Sequence, residues 1–299
     1  MAEDQGVNGD LWNDQASKLL AALKWEPIGD SNMDLPNIEG GVHGVDRLYK
    51  YLESLKTNTF EGVLVEAKRY STTSFSSGTI DTWVKTLDTK LSNLKNSPEL
   101  HEKFPDMADI PLRTGLIVIW FHNVHEYVEY KTKFKNYAST IKLSRKNVAS
   151  NKIYILENDL ILKLASLCIS VKSLNESINN RLQFYYPSVD SYPAKRSEIL
   201  NPNYMISKFI LADFIDNDNI ENKVVFYFGR LDLGGFLRLK SALSNNSYID
   251  NDKPLIIYTY QRDDEGFRKI RPEVEKLFKK TIQLKEMELF SDLPTFMRT

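Results

Sequence analysis

Three side chains with the chemistry to act on a phosphodiester stand close together in this chain. Asp46 ends His43-Gly44-Val45-Asp46, and Glu66 and Lys68 end Gly62-Val63-Leu64-Val65-Glu66-Ala67-Lys68. Alternate residues of a β-strand point to one face. Glu66 and Lys68 therefore project together, while Ala67 turns toward packing. Two carboxylates that can share a cation, with an ammonium beside them, are the groups that metal-assisted phosphodiester hydrolysis uses. Mg²⁺ takes oxygen ligands and few protein contacts, so Asp46, Glu66 and the Ala67 carbonyl suffice as its ligands. Lys68 would orient the attacking water and offset charge on the phosphate. Glu-x-Lys also occurs at ordinary solvated strand ends. Here it closes an apolar strand that follows a Gly-x-Asp, and that context favours chemistry.

The flanking pattern must bring Asp46 to Glu66. Leu19, Leu20 and Leu23 give a stripe that predicts a helix over Leu11–Trp25, broken by Pro27 and Gly29. The stretch Ile28–Gly41 reads as loop. Val42–Tyr51 and Phe60–Ala67 read as strands separated by a polar insert. A hairpin centred on residue 56 or 57 sets Asp46 opposite Glu66 or Lys68, within reach of a shared ion. Ile80, Trp83, Leu87, Leu91 and Leu94 then mark the buried face of a helix, with Thr79 as N-cap and Pro98 as stop. Leu116–Phe121 reads as a central strand covered on both faces. Lys152–Leu156 reads as another strand and Asp159–Leu174 as a helix.

At these residues the chain resembles the PD-(D/E)xK, or restriction-endonuclease-like, nuclease superfamily. Asp46 matches the first acid of that motif, and Glu66 and Lys68 match its (D/E)xK pair. The order of elements over residues 11 to 175 also suits its αβββαβ core. The resemblance implies a Mg²⁺- or Mn²⁺-dependent nuclease, and it is similar to nuclease subunits of bacterial antiphage defence systems. Many members add a Glu from the first helix as a metal ligand. Here that helix offers Asp14 and Gln15, and Gln15 is taken as a further cleft residue that positions water or phosphate. Val45 stands where the motif's proline would be.

The expected architecture is α/β: a nuclease-like domain over 1–175, a linker or ordered crossover over 176–205, and a smaller α/β unit over 206–299. Tyr185, Tyr186, Tyr192 and Tyr204 and three prolines fill Arg181–Tyr204 without a period. Beyond it, Val224–Phe228, Leu255–Tyr260 and Ile282–Leu289 read as strands alternating with helices at Gly235–Leu243 and Phe267–Lys280, a pattern of parallel pairing. Gly234-Gly235 at a helix start could meet an anion through free N–H groups. A plain helix-start turn explains it better, and nucleotide handling there is a third functional possibility. His122 and His125 have no third ligand nearby for zinc. Asp213, Asp216, Asp218 and Glu221 do not match a calcium loop and read as a solvated loop.

With 299 residues, 42% hydrophobic and 26% charged, the chain reads as a soluble globular protein of one large or two ordinary domains. Its net charge of −1 and pI near 6.5 leave nucleic-acid binding to a local patch. The candidate patch is Lys131, Lys133, Lys135, Lys142, Arg145 and Lys146, in a run from Lys131 to Lys152 without any Asp or Glu. Such a run can track a phosphate backbone. A single cysteine, Cys168, excludes an intrachain disulfide and a cysteine-rich zinc site. The first ten residues lack a secretory pattern, and no apolar run is long enough to span a bilayer. The expected protein is cytoplasmic and membrane-free. Its expected function is metal-dependent cleavage of DNA, working as a homo-oligomer or with a partner protein from the same operon. The alternative is a catalytically inactive nuclease-fold module that binds DNA or a partner.

Overall fold

The computed structural model describes residues 7–36, 38, 40–55, 59–143, 151–178, 181–189, 192–249, 253–261, 265–278 and 282–298. The chain divides into two compact units: Met1–Leu52 with Thr59–Ile161 and Ser291–Thr299, and Glu53–Asn58 with Leu162–Phe290. The first unit runs α1 (Val7–Ala22), β1 (Glu26–Ile28), β2 (Met33–Pro36), β3 (Val42–Val45), β4 (Arg47–Leu52), β5 (Phe60–Tyr70), α2 (Ser77–Leu94), α3 (Pro98–Lys103), β6 (Leu112–Phe121), α4 (Val124–Thr140) and β7 (Lys152–Leu156). The helix α5 (Asn158–Ser177) begins here and continues in the second unit.

Five strands form the central sheet in the order β1-β4-β5-β6-β7. β4 and β5 are antiparallel, in a register centred on residue 56 that pairs Arg47 with Val65 and Leu48 with Leu64. β5, β6 and β7 are parallel. Trp12 on α1 donates its indole N–H to the Val118 carbonyl at 3.1 Å and its ring meets Trp120. Ile117, Ile119 and Phe121 point the other way, into a core with Ile80, Val84, Leu87 and Leu91 of α2. The helices α1 and α2 thus cover opposite faces. β6 pairs Glu66 with Ile117 and Lys68 with Ile119, which puts both side chains on the α2 face. A capping box between Ser76 and Thr79 starts α2, so Ser76, not Thr79, is the N-cap.

Gly115 sets how closely α2 approaches. A Cβ there would lie 2.7 Å from Leu87 Cδ2 and 2.9 Å from its Cγ. A side chain at this position would push α2 off the sheet.

Several elements differ from the sequence reading. The stretch 28–41, expected as loop, holds the strand β2, which buries Met33 and Leu35. The single strand expected over Val42–Tyr51 breaks at Asp46, because β3 pairs with β2 in a separate two-stranded sheet while β4 pairs with β5. The run from Lys131 also begins inside a helix, α4, whose buried face is aromatic: Tyr127 and Phe134, flanked by Tyr130 and Tyr137. That face is too sparse among lysines and glutamates to read as an apolar stripe.

The second unit holds β8 (Gln183–Tyr186), β9 (Lys195–Ser197), α6 (Pro202–Met205), β10 (Phe209–Ile215), β11 (Glu221–Tyr227), α7 (Leu233–Asn245), β12 (Leu255–Thr259), α8 (Glu265–Leu277) and β13 (Ile282–Glu286). Its six-stranded sheet runs β13-β12-β11-β10-β8-β9. The expected parallel pairing holds for β11, β12 and β13. The stretch 176–205, expected as linker or crossover, supplies two strands of this sheet, β8 and β9. Its tyrosines pack and bond instead of spacing: Tyr186 Oη donates to the Ile199 carbonyl and Tyr204 Oη to the Tyr185 carbonyl. Asp213 and Glu221 are strand residues, not solvated loop. Asp213 is buried between Arg196 (2.7 Å) and Lys223 (3.1 Å).

Candidate active site

Asp46 sits where the chain changes partners. Its carbonyl accepts from Asn32 N–H at 2.9 Å, which fixes the turn out of β3. Had the β4–β5 register continued, Ala67 would oppose Val45, but Val45 pairs with Met33 instead. Asp46 Oδ2 takes up the freed Ala67 N–H at 2.7 Å. In an antiparallel ladder the N–H and C=O of one residue point to the same neighbour. The Ala67 carbonyl therefore opens on the same edge as the Asp46 carboxylate.

Lys68 Nζ lies 3.3 Å from Glu66 Oε2 and 3.9 Å from Asp46 Oδ2. A second ammonium comes from α2. Lys90 Nζ is 2.6 Å from Glu66 Oε1 and donates to the Gly44 carbonyl at 2.5 Å. Two acids and two ammoniums thus form one compact, formally neutral cluster. Its side chains are only 10–23% exposed. Burial raises the Asp46 pKa above its ordinary value, and the charge of Glu66 adds to that. Lys68, the Ala67 N–H and Lys90 oppose the rise without cancelling it. A carboxylate held this way gains from a nearby cation, because burial penalises the bare charge.

The model of the GAPS4 protein PD-(D/E)XK nuclease domain matches residues 1–160, more than half of the 299-residue chain. This chain belongs to that family. The family is a domain from an antiphage defence system, and the mixed sheet between helices agrees with its restriction-endonuclease-like core. Neither the curated proteins nor the solved structures returned a match.

Within this PD-(D/E)XK domain the structure brings Asp46, Glu66, Lys68 and Ala67 together and leaves Gln15 apart. Gln15 is buried on α1, the helix covering the face opposite Glu66, and it makes no hydrogen bond to the cluster. Side-chain alternation, invisible until α1 is placed on the sheet, separates them. Lys90 went unread in the sequence because it flanks the apolar stripe of α2, where lysine is commonplace; its i+3 spacing from Leu87 was the one available signal. Asn93, a turn further along, meets His43 Nε2 at 3.3 Å. His122 and His125 are exposed. Among the described residues no group of three or more His, Cys, Asp or Glu could hold a metal.

The lysine run is divided. Lys131 and Lys135 lie 3.6 and 3.7 Å from Asp159 Oδ2, an acid brought from α5. Lys133 lies over the rings of Tyr130 and Tyr137. Lys142 follows α4 and is exposed, and Arg145 and Lys146 lie outside the described residues. Among the described residues no helix is long and apolar enough to cross a membrane.

Proposed function

We propose that this PD-(D/E)XK protein is a divalent-metal-dependent endonuclease that hydrolyses DNA phosphodiesters, in the cytoplasm and in defence against phage. The observation that carries the reading is the convergence of Asp46, Glu66 and Lys68 at one end of β5. Their donor set fits Mg²⁺ or Mn²⁺: two carboxylates and the open Ala67 carbonyl are hard oxygen donors, and Mg²⁺ retains most of its waters at sites of one or two carboxylates. A bound ion would polarise the phosphate and lower the pKa of water beside it. Asp46 and Glu66 would hold it, with Asp46 preset by the Ala67 N–H. Lys68 would orient the attacking water and neutralise charge developing on the phosphate oxygens. Lys131, Lys133, Lys135 and Lys142 would contact the backbone outside the cleft, and assembly with a second copy or an operon partner would offer one site per strand.

The second reading is a module that binds DNA or a partner and cuts nothing. The observation favouring it is Lys90, which already neutralises one Glu66 oxygen. Supercoiled plasmid incubated with Mg²⁺ or Mn²⁺ separates the two. The wild type should nick or linearise it, EDTA should stop the reaction, and Glu66→Ala and Lys68→Ala should each abolish it. Cutting that survives in both variants would remove these residues from the chemistry. A wild type that binds DNA without cutting would establish the module.

A further inference from the structure

The second unit carries a cavity of about 580 Å³ lined by Lys208, Arg230, Arg238, Phe209, Tyr227 and Phe228, among others. It opens at the carboxyl ends of the parallel strands β11 and β12. Ligands of open α/β sheets gather at such strand ends. Here β11 is the last parallel strand, and antiparallel β10 starts beside its end, at Phe209. The three cations come from three places: the start of β10, the loop after β11, and the first turns of α7. Among the described residues none of the three makes an ion pair, and no described Asp or Glu lines the cavity.

The loop is built around Tyr227. Tyr227 Oη donates to the Arg230 carbonyl at 3.1 Å. A Cβ on Gly235 would lie 2.2 Å from that carbonyl oxygen and 2.7 Å from the hydroxyl. Only glycine lets the loop close this tightly, and the closure carries Arg230 to the cavity. The start of α7 is not itself a free anion site, because Asp232 accepts from Gly235 N–H at 2.6 Å. The side-chain cations must supply the attraction.

We propose that this cavity binds a nucleoside diphosphate. Its volume falls in the range of small-molecule sites. Arg and Lys are the side chains that pair with phosphate oxygens. Three cations match the roughly three negative charges of a diphosphate at neutral pH, and the half-buried rings of Phe209 and Phe228 offer a surface for the base. A nucleic-acid strand would need a groove tracking several phosphates, whereas these cations converge on one cavity.

The test titrates the full chain calorimetrically with ADP, GDP, CDP and UDP, and separately with pyrophosphate and a 5′-phosphorylated single-stranded oligonucleotide. At least one nucleoside diphosphate should bind with one-to-one stoichiometry. Arg230→Gln and Arg238→Gln should each weaken it by about tenfold or more. Both residues are exposed, so their variants should keep the wild-type thermal midpoint, and Lys208→Gln provides a third. Asp46→Asn should bind as the wild type does, which keeps the outcome separate from the nuclease reading. The proposal is overturned if no nucleoside diphosphate binds, or if binding is unchanged in all three cavity variants. It is equally overturned if pyrophosphate binds as tightly as the best nucleotide, or if only the oligonucleotide binds.

Discussion

Lys90→Met tests whether the four-group cluster is real. The substitution keeps the apolar stem and removes the charge. At 2.6 Å from Glu66 Oε1, the gross attraction at an effective dielectric near 20 is about 6 kcal/mol. Most of it is offset by the desolvation of both groups. Removing one partner of a buried pair costs roughly 3–5 kcal/mol, because the other charge is left uncompensated. Lys68 remains 3.3 Å from the second Glu66 oxygen, so the loss should fall at the lower end, about 3 kcal/mol. Glu66→Gln in the same background should recover much of it, giving a coupling of about 2 kcal/mol in a double-mutant cycle. Urea unfolding in EDTA, followed by tryptophan fluorescence, reads this directly. All four tryptophans, Trp12, Trp25, Trp83 and Trp120, lie in the first unit. A coupling below about 0.5 kcal/mol would refute the Lys90–Glu66 contact, and with it the account of a site neutralised from α2.

The raised Asp46 pKa means that the folded state holds this proton more tightly than the unfolded chain. Its contribution to stability therefore declines as pH rises from 3.8 through the folded pKa and is level above it; urea midpoints across that window should fall for the wild type relative to Asp46→Asn, and a rise would show that Lys68 and Lys90 outweigh burial. Gly115→Val should overpack Leu87 and cost about 1–3 kcal/mol. Because it displaces α2, it should also reduce the Lys90–Glu66 coupling, which the same cycle in that background checks. If α4 tracks DNA, Lys133→Gln combined with Lys142→Gln should lower the slope of log K against log salt by about 2, measured by fluorescence anisotropy; an unchanged slope would place the DNA elsewhere.

Much of the site was legible before any fold was known. Period-two alternation put Glu66 and Lys68 on one face, and the expected hairpin centre at residue 56 is the observed β4–β5 register. The expected pairing of Asp46 opposite Glu66 across that ladder does not form, because the strand breaks there and β3 pairs with β2. The alternation and the hairpin centre are consequences of local geometry, since side-chain alternation and turn length are set by neighbours in sequence. The amphipathic α2 and the alternating β11–α7–β12–α8–β13 pattern were legible for the same reason: each buries one face at its own period. Weakly apolar segments were not. The strand β9 holds Lys195-Arg196-Ser197 and is stabilised by its pairing with β8, which no local periodicity reports.

What tertiary structure alone decided was which distant groups meet. The break at Asp46 exists because β2 competes for β3, and that competition turns a ladder acceptor into a side-chain one. Lys90 reaches Glu66 because Gly115 admits α2 at close range. Asp159 meets Lys131 and Lys135 across two elements, so a run without acids in sequence is partly compensated in space. Gln15 and Glu66 are kept apart by the sheet itself, whose two faces a linear reading cannot tell apart until the covering helices are placed.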